Sequence, residues 1–147
     1  MAYMRADVLR ADEQALSGPA AMAVFPSEAG TPRAAREHVR AVLLRGDPPM
    51  PETKMDDVCL IVSELVTNAY RYGGEPDDSV MVVVLPTANC VRVEVHDTRR
   101  KRPRLRTDSD ERARGRGLHI VAALAARWDV VERPFGKAVW AEVARGD

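Results

Sequence analysis

Several protein classes are set aside by what this chain lacks. No apolar run is long enough to span a bilayer and none is bounded like a secretory leader, so the chain reads as cytoplasmic. Cysteine occurs only twice, at Cys59 and Cys90, in apolar surroundings and without metal-ligand spacing. That argues against a disulfide scaffold and a zinc module, and both thiols read as reduced core residues. The three histidines, His38, His96 and His119, form no ligand pattern. There is no excess charge of either sign: 22 Lys and Arg balance 22 Asp and Glu, so no net field draws the chain to nucleic acid or membrane. There are no internal repeats.

What is present is enough chain, 147 residues, for one domain with a substantial core. Residues 1–20 read as an N-terminal extension without chemistry, free to fray or remain disordered, and 21–145 as the domain. Ala21–Phe25 is a candidate edge strand. Thr31-Pro32 places a cap before a proline at the first helical position, and Gly46 ends that helix. Its buried stripe is Ala35, Val39, Val42 and Leu43. Its other face carries Arg33, Arg36, Glu37 and Arg40, with Leu44 out of place among them.

A second helix is expected over Thr53–Tyr72, stopped by Gly73-Gly74. Val80–Leu85 is a strand too apolar for a solvent face, so it should be central or covered. Thr87-Ala88-Asn89 makes a hairpin turn. Val91, Val93 and Val95 then alternate with Arg92, Glu94 and His96, the pattern of a half-buried strand ending at Asp97. Residues 98–114 read as a long charged loop, and Gly115-Arg116-Gly117 opens a third helix over Leu118–Ala126. Trp128–Glu132 and Lys137–Val143 are two further strands. This order predicts an α/β (α+β) two-layer sandwich, with three helices on one face of a mixed, mostly antiparallel sheet.

The second helix holds the most informative feature. Glu64, Asn68 and Arg71 interrupt its apolar pattern. At about 100° per residue they share an arc of roughly 60°, flanking the stripe of Val58, Ile61, Val62, Leu65 and Ala69. A proton acceptor, a neutral metal-coordinating amide and a cation on one edge suit a metal-bound polyphosphate; equally, they could be rim residues facing water. Asp97 supplies a second piece, an acceptor-only side chain able to take an exocyclic amine proton. Gly115 and Gly117 supply a third, since glycines admit backbone N–H groups to an anion and a helix N-terminus attracts phosphate. In this order the three pieces suggest a purine nucleotide with Mg²⁺.

With these residues in hand, the sequence resembles the Bergerat-fold (GHKL) ATPases. Ser63-Glu64-Leu65-Val66-Thr67-Asn68-Ala69 is similar to that family's N box, His96-Asp97 to the start of its G1 box, and Gly115-Arg116-Gly117-Leu118 to its G2 box. Within the family the chain most resembles the compact anti-sigma-factor serine kinases, over about residues 31–143. The resemblance implies a Bergerat-type sandwich that binds ATP and Mg²⁺. Glu64 would be the general base and Asn68 the Mg²⁺ ligand. Arg71 would contact phosphate, and Asp97, with Thr98 beside it, would hold adenine. Gly115, Arg116, Gly117 and Leu118 would form the lid and phosphate cradle.

The resemblance further implies phosphorylation of a serine on a small anti-anti-sigma (STAS-type) partner, sequestration of a sigma factor, and a homodimer. Partner binding is expected on Arg33, Arg36, Arg40 and Leu44, with no direct contact to nucleic acid or membrane. Alternatives are a non-catalytic regulator whose partner-binding conformation is set by nucleotide, and a free ATPase domain serving a separate phospho-acceptor. Glu64 favours the first reading over this last one.

Two positions depart from the family pattern. Asp97-Thr98-Arg99 lacks the usual glycine, so the turn beneath adenine must be made without it. Ala138 stands where a small hydroxyl residue is expected. The basic run Arg99–Arg106 lacks aromatic interleaving and is followed by Asp108, Asp110 and Glu111, which reads as a solvated lid rather than a nucleic-acid patch. His38 borders the buried stripe and reads as structural.

Overall fold

The computed structural model describes residues 16–46, 49–73, 78–98, 118–133 and 136–146. Five strands are described: β1 (Ala21–Pro26), β2 (Ser79–Pro86), β3 (Cys90–Thr98), β4 (Arg127–Arg133) and β5 (Gly136–Ala144). They form one sheet in the order β1-β2-β3-β5-β4. Every pairing among the described residues is antiparallel. The helices are α1 (Thr31–Leu44), α2 (Glu52–Gly73) and α3 (118–124).

Local chemistry explains the element ends. Thr31 was expected to cap α1, yet the residue before the helix is Gly30 and no side chain caps it. The Thr31 hydroxyl instead donates back to the Pro26 carbonyl, tying the helix start to the end of β1. At the β2–β3 turn the Thr87 amide and hydroxyl both donate to the Cys90 carbonyl, at 2.9 and 3.0 Å. The Cys90 amide returns a bond to the Thr87 hydroxyl at 3.1 Å. The turn thereby satisfies its own backbone, and β2 and β3 pair in register from Pro86↔Val91 to Ser79↔Thr98. After α3 the Ala126 amide donates to the Glu142 carbonyl at 2.7 Å, which turns the chain into the sheet one residue before β4.

The core lies between the helices and one face of the sheet. α1 contributes Ala35, Val39 and Leu43. α2 contributes Val58, Ile61, Val62, Leu65, Val66 and Ala69. They meet Val80, Val82 and Val84 of β2, Val91, Val93 and Val95 of β3, and Val139, Ala141 and Val143 of β5. Burying each such side chain stabilises by about 1.5–3 kcal/mol before the cost of ordering it. Cys59 belongs to this cluster, and burial pushes its thiol above the ordinary cysteine value.

The second face of the sheet departs from expectation. β3 was read as half-buried, but Arg92, Glu94 and His96 are as buried as the valines between them. They pair with one another and with β5 within the sheet. Arg92 Nε donates to Glu94 Oε2 at 2.8 Å, and His96 Nε2 lies 2.8 Å from Glu94 Oε1. Glu142 of β5 accepts from Arg127 of β4 at 2.6 Å and lies 3.8 Å from Arg92. The Arg92 guanidinium stacks on Trp140, 4.0 Å from the ring centroid. Alternation along a strand cannot distinguish a solvated charge from one paired across strands. Met81, Val83 and Leu85 of β2 are buried on the same face, as the apolar character of β2 required.

Candidate functional site

α2 carries the first part of the site. Glu64 and Asn68 are one turn apart on the helix, so their side chains share a face. Glu64 is half-buried, while Asn68 is only 7% exposed. Thr67 donates its hydroxyl to the Ser63 carbonyl at 2.7 Å, so its polarity is spent within the helix. The backbone of Arg71 lies in the last turn of α2.

Topology brings this part to Asp97. Only residues 74–78 separate the end of α2 from Ser79, and Ser79 pairs with Thr98 while Val80 pairs with Asp97. The C-terminal turns of α2 and the end of β3 therefore meet at one pole of the sandwich. Asp97 is 4% exposed and lies on the helix-bearing face, two residues on from Val95. Thr98 closes β3 beside it. Across the β3–β5 pairing stands Lys137, also 4% exposed.

Lys137 was missed from sequence, and the signal that marks it is strand parity. Val139, Ala141 and Val143 face the core, so Lys137 shares their face and Asp97's. Ala138, expected on the adenine side, points the other way and pairs with His96. The position beside Asp97 thus holds a buried cation where a small hydroxyl residue was sought one residue later.

Of the remaining expected site residues, Leu118 begins α3, half-buried against the core. Gly115, Arg116 and Gly117 lie outside the described residues, as does the basic run over 99–106. Arg33 is exposed on α1 and pairs with Glu37 at 3.2 Å. Arg36 is exposed and Arg40 half-buried. Arg36 donates to the Ser63 hydroxyl at 3.4 Å, and Arg40 pairs with Asp56 at 2.5 Å, so both line the α1–α2 seam. Leu44 is 58% exposed. No group of His, Cys, Asp and Glu suited to hold a metal unaided occurs among the described residues. No described helix is long and apolar enough to cross a membrane.

The donor set nevertheless fits a nucleotide with its cation. Asn68 is a buried neutral amide, Glu64 an adjacent carboxylate, and Asp97 a buried acceptor at the same pole. A model of the histidine kinase-like ATPase domain matches residues 25–143. The chain belongs to the histidine kinase-like ATPase domain family. That family's chemistry implies ATP binding, usually with Mg²⁺. The fold is similar to a solved structure of the RsbU and RsbW domains of Rv1364c from Mycobacterium tuberculosis. The TM-score is 0.66 at 20% identity, covering 87% of this chain and 33% of that one. At that identity the likeness speaks for the fold alone. The curated proteins yield no match.

Proposed function

We propose that this histidine kinase-like ATPase is an ATP-dependent serine kinase that phosphorylates an anti-anti-sigma (STAS-type) partner, sequesters a sigma factor, and works as a homodimer. The observation that carries the reading is Glu64, a carboxylate one helical turn before the buried Asn68 amide and at the same pole as Asp97. Asp97, with Thr98 beside it, would hold the adenine amine. Asn68 would ligate Mg²⁺ and Arg71 would contact phosphate. Gly115, Arg116, Gly117 and Leu118 would close over the phosphates through backbone amides. The bound Mg²⁺ would supply charge neutralisation at the transferred phosphoryl group.

The chain's own contribution is positional. Asn68 and Asp97 fix the two ends of the nucleotide, and Glu64 takes the proton of the attacking serine hydroxyl. Partner binding is assigned to Arg33, Arg36, Arg40 and Leu44 on α1. The test is incubation with labelled ATP and Mg²⁺ beside candidate STAS-type proteins and sigma factors. Label appearing on a partner serine supports the kinase. The alternative is a regulator that binds nucleotide to set its partner-binding conformation without transferring phosphate. ATP-dependent partner binding without labelled serine would support that second reading.

A further inference from the structure

Rows of opposed residues cross the second face of the sheet, the face turned away from the helices. One runs Val24, Met81, His96, Ala138 and Val131, from β1 through β2, β3 and β5 to β4. Their exposures are 62%, 2%, 2%, 4% and 41%. The row beside it, Met22, Val83, Glu94, Trp140 and Asp129, follows the same course, exposed on both outer strands and buried or half-buried between. An open sheet face leaves side chains accessible on every strand, as at Val24 and Val131. A cover therefore lies over β2, β3 and β5 and stops short of β1 and β4. The middle three strands span two strand spacings, roughly 9.5–10 Å, close to the ~10–12 Å diameter of one helix.

None of the described helices is that cover. α1, α2 and α3 pack on Val82, Val93 and their neighbours, on the other side of the sheet. Met81, Val83 and Leu85 form an apolar cluster of their own. Two stretches outside the described residues are long enough to supply a cover, 1–15 and 99–117. The second must carry the chain from Thr98 to Leu118, which packs on the helix-side core, so it is committed to the opposite layer. The first joins at the covered strands. Leu16 forms an antiparallel bridge with Thr87, and the Ser17 amide donates to the Pro86 carbonyl at 2.9 Å, at the end of β2. A helix over 1–15 would reach about 22 Å from there, most of the length of β2.

The sequence of 1–15 has the matching period. Met1, Met4, Val8, Ala11 and Ala15 fall within an arc of about 80° at about 100° per residue, with Ala6, Arg10 and Glu13 behind them. Arg5 and Asp12 flank that stripe on one side, about 10 Å apart along a helix. In a helix running back from Thr87, Asp12 comes toward Arg92 and Arg5 toward Glu94, so opposite charges meet at both. We propose that residues 1–15 form an amphipathic helix that docks on this face of its own chain and makes a third layer of the domain. So docked, the segment removes the second face of the sheet from the surface open to partners. The docking is independent of nucleotide binding and of phosphoryl transfer.

Thiol reactivity on the full chain tests this, with the unmodified protein and its Cys59 and Cys90 as background. Val83→Cys should react with a thiol reagent at least about tenfold more slowly than Val131→Cys, on the same face but outside the cover. Met4→Asp with Val8→Asp should bring the two rates together, and Ala6→Asp, on the back of the helix, should not. Reaction of Val83→Cys as fast as Val131→Cys overturns the cover. Protection that survives Met4→Asp with Val8→Asp overturns the segment as its source. Protection that falls on dilution assigns the cover to a second copy and overturns docking within one chain. Should the doubly substituted chain fail to fold, a photo-cross-linking amino acid at Val8 decides. A link to β2, β3 or β5 within one chain supports the docking, and links only to another chain, or none, overturn it.

Discussion

Asp97 and Lys137 stand opposite each other in the β3–β5 pairing, both buried, on the face of the sheet that carries the helices. Opposed side chains in an antiparallel pair lie close enough for the charge of one to bear on the other. A cation beside the residue proposed to accept the adenine amine competes for the same carboxylate.

Replacing Lys137 by Thr should therefore tighten ATP binding, by up to about tenfold or ~1.4 kcal/mol. Asp97→Asn should weaken it by ~1.5–3 kcal/mol, the usual cost of losing a charged hydrogen bond. Calorimetric titration with Mg-ATP measures both. Unchanged affinity in Asp97→Asn would remove Asp97 from the site.

Glu64→Ala should lower the rate of serine phosphorylation by ~10²–10⁴-fold and leave the ATP dissociation constant within about twofold, since a general base acts on the nucleophile. A transfer assay read against calorimetry on the same sample separates the two effects. Wild-type turnover in the variant would mean that another group takes the proton.

Charge reversal at Arg36 and Arg40 should abolish capture of the sigma factor and the STAS-type protein in a pull-down, chiefly through lost complementarity. Both side chains also bond across the α1–α2 seam, to Ser63 and Asp56. Melting temperature is measured alongside, and Asp56→Ala serves as a control that breaks the seam without reversing charge. Equal loss of binding in that control would reduce the arginines to a structural part.

The buried network of β3 makes a pH prediction. Burial pushes the Glu94 carboxyl up, but the hydrogen bond from His96 and the charge and hydrogen bond of Arg92 outweigh it, holding Glu94 below the ordinary glutamate value. A carboxyl with a depressed folded pKa stabilises fully above its unfolded value. That contribution is lost as pH falls through the folded one. Urea midpoints should therefore drop as pH is lowered from the ordinary glutamate range, and Glu94→Gln should flatten this dependence. Glu94→Ala should cost about 3–5 kcal/mol at neutral pH, because it leaves Arg92 buried beside a lost partner. A parallel acid profile in wild type and Glu94→Gln would place the titration elsewhere.

The sequence by itself determined the elements, their order and the core. A period of 3.6 in α1 and α2, a period of two in β3 and the continuous apolar run of β2 mark residues that meet in the interior, and these patterns are local. The same periodicity placed Glu64 and Asn68 on one face of α2. The tertiary structure decided what depends on register and neighbours. Lys137 rather than Ala138 stands beside Asp97, because a shift of one residue along a strand reverses its face. Arg92, Glu94 and His96 look solvent-exposed in a list of residues. In the folded chain they are buried, and Glu142 and Trp140 of β5 lie on the same side beside Arg92. That β1 lies at the edge, uncharged, while β5 sits inside β4, is likewise a fact of pairing between segments far apart in the chain, which no local pattern encodes.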